Sequence, residues 1–207
     1  MKRHNLHLSI IGSLAMAVAI GGCAPDQKDT TPAASAPMAT EPVAPAPPPA
    51  ESAPAAIPAG HAAVSLKSVD TMKVSGDLTL SAEAGGVHIN GTINGLTPGT
   101  QHGFHIHETG DCSAPDFKSA GGHFNPGNKE HGNPMSEMHH AGDMMNLAVT
   151  DSGSATIDVT VPGVTLGDGG ADDVMNRAIV VHAGPDDYTS QPAGDSGGRI
   201  ACGVIAK

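Results

Sequence analysis

Val74-Ser75-Gly76-Asp77-Leu78-Thr79-Leu80-Ser81 and Val87-His88-Ile89-Asn90-Gly91-Thr92-Ile93, with Glu83-Ala84-Gly85-Gly86 between them, decide the fold. Apolar and polar residues alternate through both stretches. A period of two puts Val87, Ile89 and Ile93 on one face of a strand and His88, Asn90 and Thr92 on the other. The glycine-rich tetrapeptide reads as the turn that joins them.

Six more short runs lie to either side: Ala62–Val69, Gly103–His107, Leu147–Thr150, Ala155–Val161, Ala178–His182 and Ile200–Ala206. Gly, Asp, Asn and Pro punctuate them, and no stretch keeps a helical period over twelve residues. About eight short strands predict an all-β antiparallel sandwich or barrel. Aromatic residues make up only 2% of the chain, so its core must be built from Val, Ile, Leu, Ala and Met. Residues 108–146 break the pattern, being rich in Gly, Pro, Asn and His. A loop of that length inside a compact domain usually carries function.

Upstream of the strands the chain changes character. Residues 1–22 have a cationic start (Lys2, Arg3) and an apolar run, Leu8–Ile20, that ends at Ile20-Gly21-Gly22-Cys23. This is the layout of a secretory signal, too short for a membrane span with its flanks. The small residues before Cys23 resemble a bacterial lipobox, which implies lipidation of that cysteine. The alternative is an ordinary signal peptide with an incidental cysteine. Ala24 resembles the outer-membrane-sorted class, so the expected location is the bacterial periplasm, anchored to the outer membrane. Residues 23–60 are rich in Pro and Ala and read as a tether that cannot repay the entropy of ordering. Residues 61–207 remain as one folded domain of ordinary size.

The formal charge of the chain is −11, with 10 Lys+Arg against 21 Asp+Glu, and two of those cations lie in the removable segment. No basic stripe exists to neutralise phosphates, so nucleic acid is not an expected partner. An anionic substrate would be repelled overall and drawn in only by a locally positive site. If Cys23 carries lipid, Cys112 and Cys202 remain as an even pair in an oxidising compartment, either bridged or as two buried thiols.

Twelve histidines in so acidic a chain call for a metal hypothesis. His105 and His107 stand at i and i+2 on one strand face, and His182 closes another strand. The long loop adds His123, His131, His139, His140 and Asp143. Imidazole nitrogens suit copper and zinc alike, and three histidines with one aspartate form a closed tetrahedral kind of zinc site. Spacing alone leaves His139 and His140 as alternatives.

Six motifs stand in order along the chain: Gly-Phe-His-Ile-His-Glu (103–108), Gly-Gly-His-Phe-Asn-Pro (121–126), His-Gly-Asn-Pro (131–134), His-Ala-Gly-Asp (140–143), Val-Val-His (180–182) and Gly-Gly-Arg-Ile-Ala-Cys-Gly-Val-Ile (197–205). On these the sequence resembles the copper/zinc superoxide dismutases. The resemblance covers roughly residues 62–207. It implies an eight-stranded antiparallel Greek-key barrel with long metal-binding loops, holding copper and zinc as cofactors. Position by position, it makes His105, His107, His123 and His182 the copper ligands. His123 would bridge to a zinc completed by His131, His140 and Asp143, which selects His140 over His139. Asp186, rather than Asp187, matches the carboxylate that links His105 to His131. Cys112 and Cys202 match the family's disulfide.

The implied reaction converts two superoxide anions and two protons to hydrogen peroxide and dioxygen by alternate reduction and oxidation of copper, protecting the cell envelope. Arg199 and His123 would be the catalytic residues, Arg199 guiding the anion and His123 handling a proton. The stretch 186–198 lacks the steering lysines of eukaryotic members, leaving Lys118 or Lys129 as replacements. Met135, Met138, Met144 and Met145 could offer a soft copper(I) entry site, or simply fill gaps. The family varies in oligomeric state, which leaves a homodimer open. The competing classes are a metal-buffering lipoprotein and an adhesion sandwich with incidental histidines.

Overall fold

A computed structural model of the protein describes residues 59–69 and 71–207. The export segment, Cys23 and nearly all of the expected tether lie outside them. Nine strands follow in order: β1 (His61–Ser68), β2 (Ser75–Glu83), β3 (Gly86–Asn94), β4 (Gln101–His102), β5 (Phe104–His107), β6 (Leu147–Ala148), β7 (Ser154–Pro162), β8 (Ala178–His182) and β9 (Arg199–Val204). The eight runs read from the sequence each form a strand. The ninth, β4, is a two-residue piece that Gly103 separates from β5. Apart from one 3₁₀ turn at Lys118–Ala120, no helix occurs among the described residues.

All ladders between strands are antiparallel, and the main sheet runs β5-β8-β9-β1-β2-β3-β7. Register follows the period-two pattern. Ala62 faces Leu80, Leu80 faces Ile89 and Ile89 faces Val159, so one apolar row crosses four strands. The remaining pair, β4 with β6, connects the two edges of the curled sheet, because β4 leads into β5 and β6 leads into β7.

The interior holds aliphatic residues from every major strand, among them Val64, Leu78, Ile93, Ile106, Ile179 and Ile205, with Phe104 the large ring. A separate small cluster lies under the long loop: Phe117, Ala120, Ala178, Val180 and Cys202, with Val69 and Cys112 packed against it. Alternation along β5 and β8 creates this division. Phe104, Ile106, Ile179 and Val181 point into the barrel. His105, His107, Ala178, Val180 and His182 therefore point outward, yet all five are buried because the loops cover them.

Candidate metal centre

The loops reach this outer face by hydrogen-bonding to the free edge of β5. Ile106 N donates to Gly142 O at 2.9 Å, and Phe124 N donates to Ile106 O at 2.8 Å. The two crossings are themselves joined, Gly142 N donating to Phe124 O at 2.9 Å. His123 is thereby set opposite His107, and Asp143 opposite His105. The approach needs glycine at 142, where a Cβ would lie 2.2 Å from Ile106 O.

Two groups of donor atoms result. His105, His107, His123 and His182 offer ring nitrogens that all lie within 4.8 Å of one another, and the ring nitrogens of His123, His131 and His140 lie equally close to one another and to a carboxylate oxygen of Asp143. In the first group His182 Nε2 and His107 Nε2 are 3.4 Å apart. In the second, Asp143 Oδ1 stands 2.8 Å from His123 Nδ1, 3.0 Å from His131 Nδ1 and 3.4 Å from His140 Nδ1. A tetrahedral zinc with ligands near 2.0 Å separates its donors by about 3.3 Å, so this spacing fits. His123 belongs to both groups, Nδ1 toward Asp143 and Nε2 toward the other histidines.

Four buried ring nitrogens have no hydrogen-bond partner: His105 Nδ1, His123 Nε2, His131 Nδ1 and His140 Nδ1. Unpaired buried polar atoms are costly and rare, and these four converge on the same two points. Copper and zinc therefore fit the residues present.

The opposite ring nitrogens are tied down, which fixes where the lone pairs point. His107 Nδ1 donates to Gly121 O at 3.0 Å and His182 Nδ1 to Gly197 O at 3.2 Å. Asp186 accepts from His105 Nε2 at 2.7 Å through one oxygen and from His131 Nε2 at 3.0 Å through the other. Its neighbour Asp187 turns away and caps Ser190 and Thr189. Gly194 leaves room for the Asp186–His131 contact, since a Cβ there would fall 1.8 Å from Asp186 Oδ1.

Two amide side chains, absent from the sequence reading, clamp the backbone behind these groups. Asn146 exchanges two bonds of 2.8 Å with the peptide groups of Asp186. Gln191 does the same with His131, both bonds 2.9 Å. Lone amides in glycine-rich loops carry no spacing signal by which they could have been singled out.

Charge in the site is arranged for cation binding. Burial, with His123 and Arg199 nearby, lowers His107 to about 2. Burial and the His105 ring lower His182 to about 3. His123 falls to about 4 because burial outweighs the pull of Asp143. These rings are neutral at physiological pH and present free lone pairs. Burial opposes a proton on His131 as well, but the adjoining carboxylates of Asp143 and Asp186 outweigh it and raise the group to about 9. That is the proton a metal ion at Nδ1 must displace. Although burial disfavours their charge, contacts with histidines hold Asp143 and Asp186 far below the ordinary carboxylate range.

An open cleft of about 380 Å³ leads to the all-histidine group, lined among others by His107, His123, His182, Glu108, Asn125 and Arg199. Arg199 reaches it through an irregular ladder. Val181 pairs with Ala201, but His182 pairs with Arg199, so Ile200 is left over as a bulge. In a regular ladder Arg199 would share the core-facing side of Ala201; the extra residue turns it toward His182. Its Nη1 donates to Phe117 O at 2.5 Å and its Nη2 to Gly121 O.

The candidate steering lysines lie elsewhere. Lys118 is exposed and paired with Asp116 at 2.8 Å, while Lys129 Nζ donates to Glu137 O at 3.0 Å. Neither lines the cleft, where Arg199 is the one permanent cation among the described residues.

His139, outside both groups, bonds His140 O at 2.6 Å. His102 spans Thr100 Oγ1 and His182 O, both at 2.8 Å. The methionines divide: Met144 is buried in the core, whereas Met135, Met138 and Met145 are exposed. Cys112 and Cys202 form a disulfide.

Fold and site together define an antiparallel β-barrel metalloprotein whose two donor sets share one histidine on its outer wall. A family model described as copper/zinc superoxide dismutase matches residues 74–205, and the chain belongs to that family. It is 47% identical to "Superoxide dismutase [Cu-Zn] 2" of Aquifex aeolicus over 64% of this chain and 80% of that protein. With "Superoxide dismutase [Cu-Zn] 1" of the same organism, identity is 49% over 58% and 73%. A crystal structure titled "SOD-like protein from Bacillus subtilis" superposes with a TM-score of 0.64 at 39% identity, covering 69% of this chain and 97% of that one.

Proposed function

We propose that this chain is a superoxide dismutase of the bacterial envelope. In this reading His105, His107, His123 and His182 hold copper, and His123, His131, His140 and Asp143 hold zinc. Bound copper supplies one-electron oxidation and reduction, by which two superoxide anions and two protons become hydrogen peroxide and dioxygen. Family membership alone does not carry the activity, since one solved relative is titled only "SOD-like". The observation that carries it is His123, whose two nitrogens face different donor sets while Arg199 stands at the cleft.

Each residue has a distinct task. His123 Nε2, buried and without a hydrogen-bond acceptor, is the atom able to take up a proton and pass it to the reduced oxygen. Asp143, 2.8 Å from Nδ1, keeps the ring in place, on the side where zinc would be held. Arg199 offsets the overall negative charge locally, drawing the anion in and hydrogen-bonding it. Asp186 orients His105 and His131 together.

Residues 1–22 are proposed to direct export, Cys23 to carry lipid in the outer membrane, and residues 23–60 to tether the catalytic domain, 61–207. Metal analysis of the purified protein, combined with a superoxide-consumption assay, tests the function. Equimolar copper and zinc with rapid consumption is expected. Full metal content without consumption would leave a metal-buffering lipoprotein instead.

A further inference from the structure

Phe117 combines two features that conflict locally. Its backbone sits in the left-handed region (φ 56°, ψ 18°), where a bulky side chain is a genuine outlier. Glycine or asparagine would occupy that conformation with less strain. The ring itself is buried, packed in the small cluster with Ala120, Ala178, Val180 and Cys202 and beside Cys112. Burial of the ring against the disulfide thus offsets the backbone strain, and strain of this kind collects where function needs a fixed geometry.

The strained residue holds one specific atom in place. Phe117 O accepts from Arg199 Nη1 at 2.5 Å, and also from Ala120 N at 3.1 Å, which closes the 3₁₀ turn. That turn leads directly to Gly121, whose carbonyl accepts from Arg199 Nη2 and from His107 Nδ1. One short segment, 117–121, therefore sets the guanidinium against the copper-side ring of His107. The disulfide holds the segment through the Phe117 ring.

We infer that Phe117 is a positioning residue for Arg199: its ring, wedged against the Cys112–Cys202 bridge, fixes the carbonyl that aims the guanidinium into the cleft. The inference rests on the reading of Arg199 as the anion guide. It predicts that anchoring matters more than backbone comfort at this position. Phe117→Gly relieves the backbone but frees the carbonyl, whereas Phe117→Leu keeps an apolar anchor.

The test uses the copper- and zinc-loaded protein and azide as a probe anion, with affinity read from the copper(II) absorption spectrum. Superoxide turnover is measured over a range of ionic strengths, and metal content is checked in every variant. Phe117→Gly should keep both metals, weaken azide binding on the order of threefold to tenfold and flatten the salt dependence of kcat/KM. Phe117→Leu should restore most of both. Should the glycine variant fail to fold, Phe117→Val decides the matter. It fills part of the ring's space but resists the left-handed backbone, so it should fold and show the same losses. Azide affinity and salt slope equal to those of the parent in Phe117→Gly, or in Phe117→Val where the glycine variant does not fold, would overturn the inference. Arg199→Ala in the same assay separates the two readings. If it changes neither quantity, the assignment of Arg199 fails; if it changes both while the Phe117 variants change neither, only the present inference fails.

Discussion

His123 has no idle nitrogen. One lies 2.8 Å from Asp143 and the other, without a hydrogen-bond partner, faces three rings from β5 and β8. Burial lowers the pKa of this ring to about 4, which keeps it unprotonated at neutral pH. Arg199 has the complementary task. Replacing it with Ala should lower kcat/KM by roughly tenfold or more at low ionic strength and shrink its dependence on salt, with copper and zinc content unchanged. Stopped-flow kinetics over a salt series reads this directly; kinetics identical to the parent's would remove Arg199 from the mechanism. The ligand residues themselves were legible because their order and spacing are dense with signal. The face on which Arg199 lies was not, because it depends on a single surplus residue, Ile200, that no sequence period reveals.

At the scale of elements, strands were read best where burial is continuous or strictly alternating. The run Ala178–His182 matches the observed bounds because all five residues are buried, and Val87–Ile93 falls within one residue of β3 at each end because its alternation is clean. Gln101–His102 escaped, since two residues cannot display a period. The segment between β7 and β8 also went unread, and its order comes from one carboxylate. Asp173 accepts from the backbone N–H groups of Gly167 and Met175, both at 2.8 Å, and of Gly169 at 2.7 Å. Burial opposes its charge, but those three donors outweigh burial and lower its pKa. A depressed carboxylate stabilises the fold above its unfolded value near 3.9, and the contribution disappears as pH falls through the folded value. Asp173→Asn should therefore cost roughly 1–3 kcal/mol at pH 7 and less near pH 3, where pH has passed below the unfolded value. Denaturant titrations of both proteins at the two pH values check this; a gap that does not narrow in acid would contradict it. Changes common to both proteins cancel in the difference.

For the whole molecule, the covalent tie and the proposed lipid divide three cysteines between two tasks. The Cys112–Cys202 bridge spans 90 residues of sequence and joins the long loop to β9. A loop of that length corresponds to about 4–5 kcal/mol in the chain-entropy account, so a Cys112→Ser, Cys202→Ser double variant should unfold at markedly lower denaturant. An unchanged midpoint would reject that account here. Cys23→Ser should move the protein from the membrane fraction to the soluble periplasmic fraction, read by fractionation and immunoblotting; unchanged membrane retention would reject the anchor. The bulge in β9 has a consequence at this scale too. A perfectly regular ladder would assemble the same two pockets from the same side chains and leave their mouth without its cation. Capturing metal and turning over an anion are thus separable properties of one barrel, and the second hangs on a lone misfit in the count of residues.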